Sequence, residues 1–253
     1  MCRAIRKSSR STLDTESPSE KGRTPMLEVR DFTVSYGESE VVHQVGFEAA
    51  PGEIVAVMGR NGMGKSTLFK SLIGILPSKT GSLRVAGQEL AGLPSHQRVH
   101  RGLAYVPQGR MVFPTLTVLE NVQTGLRDRH ATIPDEIYSL FPVLAEMKRR
   151  KAGNLSGGQQ QQLVIARALV TNPKVLLLDE PTEGIQPSII KDLARLLVEI
   201  KRLRGLTIIV SEQVLSFALD VADRLLVIDR GRIVNDVTRE QADAAVLGRY
   251  LSV

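Results

Sequence analysis

The chain has 253 residues, 42% of them hydrophobic, 24% charged and 4% aromatic, with a formal net charge of +6. That is enough apolar material for one large α/β domain or two lobes, yet no run approaches the roughly 20 apolar residues of a membrane span. The only cysteine, Cys2, excludes an internal disulfide and suits a reducing compartment, while dispersed basic residues with few aromatic platforms argue against nucleic acid as partner.

Residues 1–25 are rich in Ser, Arg, Lys and Glu and nearly free of large apolar side chains, so a disordered basic tail is expected. It holds no secretory apolar stretch, and no apolar segment precedes Cys2 as a lipid anchor would require. Met26, directly before the first strand pattern, is a candidate natural start. Residues 27–34 alternate apolar and polar (Leu27, Val29, Phe32, Val34), and residues 41–47 repeat this after a turn, predicting antiparallel strands. Residues 53–58 are short and nearly all apolar, as in a parallel strand covered on both faces. They run into Gly59-Arg60-Asn61-Gly62-Met63-Gly64-Lys65-Ser66, after which residues 66–75 read as a helix. Strand, glycine-rich loop and helix form the context of the P-loop pattern G-x-x-x-x-G-K-[ST].

From 117 to 151 the pattern is helical and more charged, punctuated by Pro134 and Pro142. This insertion ends at Leu155-Ser156-Gly157-Gly158-Gln159, and a long helix follows through Leu163, Ala166, Leu169 and Val170. Strands return at 175–178, 207–210 and 225–228 with helices between. The β-α-β-α-β order, with right-handed crossovers, predicts a parallel sheet sandwiched by helices. No internal repeat is visible.

Phosphoryl oxygens need many donors at close range. Gly59, Gly62 and Gly64 let the backbone approach, and successive N–H groups of a set including Asn61 and Thr67 converge at a helix N-terminus. Lys65 would reach the β- and γ-phosphates and the Ser66 hydroxyl would ligate Mg²⁺; the alternative, a surface glycine-rich turn, fits poorly between a strand and a helix. Asp179 closes a buried apolar strand where an unpaired carboxylate is costly, and Mg²⁺ held through water accounts for it. Ser156 suits an N-cap, Gly157 and Gly158 expose N–H groups, and Gln159 lies in the polar first turn, giving a second anion site far along the chain. One triphosphate does not need two such cradles from the same chain.

The two glycine segments, with Tyr36, Gln108 and Val175-Leu176-Leu177-Leu178-Asp179-Glu180 in this order, resemble the ATP-binding cassette of ABC transporters over residues 27–237. The resemblance implies an α/β fold: a P-loop NTPase (RecA-like) core with an antiparallel β subdomain and an inserted helical subdomain. Its ATP-binding domain would span 26–253, with the catalytic core at about 26–107 and 173–253 and the helical subdomain at about 108–172. Glu180 would polarise the attacking water as general base, a salt-bridged strand-end carboxylate being the alternative. Gln108 would touch the metal and attacking water and relay γ-phosphate status to the helical lobe. Tyr36 would stack on adenine, unless it is an ordinary strand-end tyrosine. In the family each ATP lies between one subunit's P-loop and the other's Ser-Gly-Gly segment, which implies head-to-tail pairing with a related ATP-binding subunit or with itself.

Two departures narrow the resemblance. The family's usual histidine after Glu212 is Gln213 here, whose amide can donate a hydrogen bond to γ-phosphate but cannot carry a proton's charge. The run Pro181-Thr182-Glu183-Gly184-Ile185-Gln186-Pro187 is similar to ATP-binding subunits of branched-chain amino acid and urea importers. The loops at 59–64 and 107–114 look closer to the urea type. The resemblance thus implies an ATP-hydrolysing subunit at the cytoplasmic face of the inner membrane, working with transmembrane permease subunits and, indirectly, a periplasmic solute receptor. Urea is the expected solute; a branched-chain amino acid importer ATPase or a low-turnover regulatory subunit are the alternatives. Cassette ATPases acting on nucleic acid or ribosomes usually carry two cassettes or a long inserted coiled coil, and neither is seen.

Overall fold

The computed structural model describes residues 24–128 and 130–251, so nearly all of the expected tail at 1–25 lies outside the described residues. Strands β1 (Leu27–Tyr36) and β2 (Ser39–Ala49) pair antiparallel from Leu27↔Ala49 to Tyr36↔Ser39, and their alternating apolar residues face inward. Next come β3 (Ile54–Met58), α1 (Lys65–Leu72), β4 (Thr80–Val85), β5 (Gln88–Glu89), α2 (Ser95–His100) and β6 (Leu103–Val106). Every residue of β3 is buried, as its apolar run requires. Arg98 on α2 is 2% exposed and donates to the Ser71 and Leu72 carbonyls (2.7 and 2.8 Å), placing a cation at the end of α1 where the helix dipole favours it.

The middle of the chain is helical: α3 (Val118–Gln123), α4 (Asp135–Leu140), α5 (Pro142–Glu146) and α6 (Gly157–Leu169). Pro134 and Pro142 stand at the starts of α4 and α5. Capping boxes start α3 (Thr117 with Glu120) and α6 (Ser156 with Gln159), each satisfying two otherwise unpaired N–H groups. The chain then returns through β7 (Val175–Asp179), α7 (Pro187–Arg204), β8 (Thr207–Glu212), α8 (Leu215–Val221), β9 (Arg224–Asp229), β10 (Arg232–Thr238) and α9 (Ala244–Leu251).

Two sheets result, a four-stranded one in the order β2-β1-β4-β5 and a six-stranded one in the order β10-β9-β3-β8-β7-β6. In the second, β9, β3, β8, β7 and β6 run parallel and β10 is the antiparallel edge. Successive residues of β3 point to opposite faces. Val55 and Val57 join a core with α1 and the antiparallel sheet, whereas Ile54, Ala56 and Met58 join one shared with α6, α7 and α8. Because the strands are parallel, Met58, Glu212 and Asp179 finish at one edge, with Met58 opposite Glu212 and Asp179 opposite Ser211. Ligands bind at that carboxyl edge in open α/β sheets.

Candidate active site

The loop between β3 and α1 is shaped by contacts that allow no larger residue. A Cβ on Gly59 would stand 2.6 Å from the Ile228 carbonyl oxygen, and Gly64, the N-cap of α1, has φ +102°. The loop wraps the Lys65 side chain, which is only 3% exposed. Its Nζ donates to the carbonyls of Gly59 (2.7 Å) and Arg60 (3.0 Å) and pairs with Glu180 Oε1 at 3.0 Å. An ammonium has three N–H donors, so all three are engaged. Asn61, Gly62, Gly64, Lys65, Ser66 and Thr67 line a cleft of about 200 Å³, closed by Val41, Gln108 and Glu180.

Glu180 follows β7 in the left-handed region, φ +46°, which costs a residue with a Cβ about 1–2 kcal/mol. Its N–H donates to the Ser211 carbonyl at 3.1 Å, which holds the turn. The carboxylate receives Gln108 Nε2 at 3.2 Å on Oε2 and Gln213 Nε2 at 3.2 Å on both oxygens. Gln213 also donates to Asn61 Oδ1 at 2.8 Å, tying the end of β8 to the P-loop. Lys65, Gln108, Glu180 and Gln213, widely separated in sequence, therefore meet around one carboxylate.

Asp179 is 1% exposed, and its partners are hydroxyls: Ser66 Oγ (3.1 Å) and Ser211 Oγ (2.6 Å) on Oδ1, and Tyr105 OH (3.2 Å) on Oδ2. Burial, then the Asp179 charge, push the Tyr105 phenol far above its ordinary pKa, so it stays a donor. No ion pair to Asp179 occurs among the described residues, and none of their acidic, histidine or cysteine groups forms a cluster of three that could hold a metal. A buried carboxylate next to one helix-start hydroxyl is an oxygen donor set that suits a hard divalent cation completing its shell with phosphate and water. Glu212, treated in the sequence only as the neighbour of Gln213, is 2% exposed and accepts from the N–H groups of Thr182 (3.0 Å), Gln213 (3.0 Å) and Val214 (3.3 Å). It joins the loop after β7 to the end of β8, and burial raises its pKa.

Tyr36, 49% exposed at the end of β1, and Ser156, Gly157, Gly158 and Gln159 at the start of α6 do not line this cleft. The two glycines also have a packing role that the sequence did not reveal. A Cβ on Gly157 would stand 2.6 Å from Arg110 Nη1, and one on Gly158 would stand 2.4 Å from Ile189 Cγ2. Ser211 and Tyr105 were missed as well; the signal available was a polar residue at the carboxyl end of an apolar strand, Ile208-Ile209-Val210-Ser211.

Beside the turn after Gln108 lies a groove of about 300 Å³ lined by Tyr105, Pro107, Phe113, Val164, Arg167 and Ala168. Phe113 is 48% exposed there, and the nearby Met111 is 65% exposed. Arg167 donates to the Met111 carbonyl at 2.8 Å and lies 5.2 Å from the Phe113 ring centroid. A larger cleft of about 570 Å³ on α7 and α8, with Lys191, Arg195 and Asp220, contains none of the converging groups described above.

Comparison with known proteins identifies the family. Residues 42–183 match the family described as ABC transporter. The chain is 42% identical over 213 residues to the high-affinity branched-chain amino acid transport ATP-binding protein BraG of Pseudomonas aeruginosa, covering 83% of this chain and 91% of that protein. It is 32% identical over 242 residues to the similarly described LivG of Escherichia coli, covering 86% and 93%. It is 32% identical over 223 residues to the lipopolysaccharide export system ATP-binding protein LptB of Haemophilus influenzae, covering 85% and 92%. Its fold is similar to the ADP conformation of an ATP-binding cassette of an ABC transporter, with TM-score 0.80, 26% identity and coverage of 91% and 100%. A dimeric ATP-binding cassette in a post-hydrolysis state, bound to ADP and Pi, gives TM-score 0.75, 26% identity and coverage of 85% and 99%. BraG and LivG are described by branched-chain amino acids, so these relatives support the amino-acid alternative over the urea type expected from the loops at 59–64 and 107–114. With the family model matching residues 42–183 and BraG matched over 91% of its own length, the chain belongs to the ABC transporter family as an ATP-binding subunit.

Proposed function

We propose that the chain is the ATP-hydrolysing motor of an importer for branched-chain amino acids. The observation that carries the chemistry is the Glu180 carboxylate held by Lys65, Gln108 and Gln213 at the mouth of the P-loop cleft. All three Lys65 donors are engaged, so a triphosphate that binds Lys65 displaces one partner, and of the three only Glu180 lines the cleft. The freed carboxylate, still steadied by the two glutamines, accepts a proton from water as its oxygen attacks the γ-phosphorus, and ADP leaves with the bridging oxygen. Asn61, Gly62, Gly64, Ser66 and Thr67 bind the phosphates with Lys65, and the Gly59 turn lets the loop close on them. Ser66, Asp179 and Gln108 would hold Mg²⁺, which neutralises charge on the β- and γ-phosphates. Tyr36 supplies an exposed ring for adenine.

Ser156, Gly157, Gly158 and Gln159 do not line the chain's own cleft and serve the nucleotide of a second cassette, either a related subunit or another copy. The groove lined by Phe113, with its exposed ring, supports a contact with membrane-spanning permease subunits. A peripheral position at the cytoplasmic face of the inner membrane follows, with a periplasmic receptor acting through the permease. In this reading residues 26–107 and 173–253 form the catalytic core and 108–172 the helical subdomain. The regulatory alternative is disfavoured by Glu180, because Gln213 steadies that carboxylate without needing a charge.

In the reconstituted complex, Glu180→Gln should lower ATP turnover by roughly 10²–10⁴-fold. Unchanged turnover would eliminate Glu180 as the base. Uptake of labelled leucine, isoleucine or valine tests the solute, and ATP-driven urea uptake with no amino-acid uptake would overturn that part.

A further inference from the structure

Glu212 carries a buried carboxylate that the proposed hydrolysis leaves without a task. It is 2% exposed, and no cation pairs with it among the described residues. Burying a carboxylate without an ion pair is costly unless hydrogen-bond donors surround it. Main-chain donors meet both of its oxygens: the Thr182 N–H gives to Oε1 at 3.0 Å, and the Gln213 and Val214 N–H groups give to Oε2 at 3.0 and 3.3 Å. Only an ionised carboxylate accepts on both prongs, since an amide of the same shape turns one prong into a donor.

The two oxygens hold different parts of the site. Oε1 fixes the loop that follows Glu180, which the Glu183 N–H closes onto the Glu180 carbonyl at 3.2 Å. Oε2 fixes the turn into α8, and from that turn the Gln213 amide crosses to both Glu180 oxygens (3.2 Å) and to Asn61 Oδ1 (2.8 Å). The backbone of Glu212 is itself anchored, because its carbonyl accepts from the Gly59 N–H at 3.3 Å. One rigid side chain thus joins the loop of the base to the turn of the amide that steadies it. Glu212 does not line the phosphate cleft.

We infer that Glu212 is a positioning residue for hydrolysis: by spanning from Thr182 to Gln213 it sets the reach of the Gln213 amide to Glu180 and so aims the general base. This rests on Glu180 acting as the base, as proposed above. A displaced base slows the chemical step, whereas the P-loop keeps its grip on the nucleotide.

The test measures ATP turnover of the assembled transporter for the unaltered chain, Glu212→Gln, Gln213→Ala and the double variant, each normalised to the ATP that the same preparation binds. Glu212→Gln should lower kcat by roughly tenfold to a hundredfold and leave KM for ATP within about twofold. Gln213→Ala should lower kcat at least as much. The double variant should be no slower than Gln213→Ala alone, since the amide that Glu212 aims is then gone. Glu212→Asp keeps two acceptors on a stem one methylene shorter, so it should also lower kcat at constant KM, and it gives the reading if Glu212→Gln binds no ATP. Unchanged kcat in Glu212→Gln overturns this inference alone. So does a loss seen in KM instead of kcat, which marks a merely structural role, and so do losses that multiply in the double variant. Full turnover by Glu180→Gln overturns the assignment of the base and this inference with it.

Discussion

Replacing Glu180 by glutamine should tighten ATP binding to the single cassette, apart from its effect on turnover. Lys65 and Glu180 are 3% and 8% exposed and 3.0 Å apart, so their bond is charge-assisted and shielded from water. A hydrogen bond from an ammonium contributes about 1.5–3 kcal/mol to either acceptor, and the ion pair adds a coulombic attraction on the order of 1 kcal/mol that a glutamine amide at position 180 does not supply. A triphosphate arriving at Lys65 gives up the stronger bond in the native chain and the weaker one in Glu180→Gln. The difference, about 1 kcal/mol, corresponds to roughly fivefold tighter binding. Loss of repulsion between the carboxylate and the γ-phosphate acts in the same direction. ADP does not bring a γ-phosphate to Lys65, so its gain should be smaller. Calorimetric titration of both nucleotides at fixed salt reads the two numbers. Equal or weaker ATP binding by Glu180→Gln would refute the exchange of Lys65 between carboxylate and phosphate.

Other consequences concern stability and the remaining contacts. Burial raises the pKa of Glu212 in the folded chain, so the folded state binds more protons and stability should fall as pH rises from the ordinary carboxylate range through the raised value. Glu212→Gln should flatten that slope in thermal melts taken across pH, and an unchanged slope would contradict it. Gly158→Ala drives a methyl to 2.4 Å from Ile189 Cγ2 and should cost about 1–3 kcal/mol in chemical denaturation, with a near-zero cost counting against the packing role. Asp179→Asn should abolish the Mg²⁺ dependence of ATP binding, seen as matching titrations with and without the metal, while a preserved difference would remove Asp179 from the site. Tyr36→Ala should weaken ATP by about 1 kcal/mol, roughly fivefold, if its ring stacks on adenine, and leave inorganic triphosphate binding unaltered.

Much of the fold was legible because its central strands are uniformly apolar. Residues 53–58 and 175–178 could be read as buried parallel strands, found at Ile54–Met58 and Val175–Asp179, and the P-loop between β3 and α1 follows from glycine spacing. β4, β5, β6 and β10 were not anticipated. β5 and β10 contain no buried residue and β4 only Leu83 and Val85, so periodicity had little to act on. α2 hides a buried arginine, against the usual exposure of that residue type. The residue types of the site were visible, but their partners depend on strand order. Asp179 meets Ser211 because β7 and β8 are neighbours, and Gln213 meets Asn61 because β8 lies beside β3. The left-handed turns at Glu180 and Arg110 leave no trace in residue spacing, which is why the contact of Arg110 with Gly157 appears only in three dimensions.

The most direct test of the motor is the structure of the assembled transporter carrying Glu180→Gln with Mg²⁺ and ATP. The γ-phosphate should touch Lys65 of one cassette and the Ser156–Gly158 segment of the other, with Lys65 released from position 180. A nucleotide bound by the P-loop alone, with the second cassette's Ser156 facing solvent, would contradict the account.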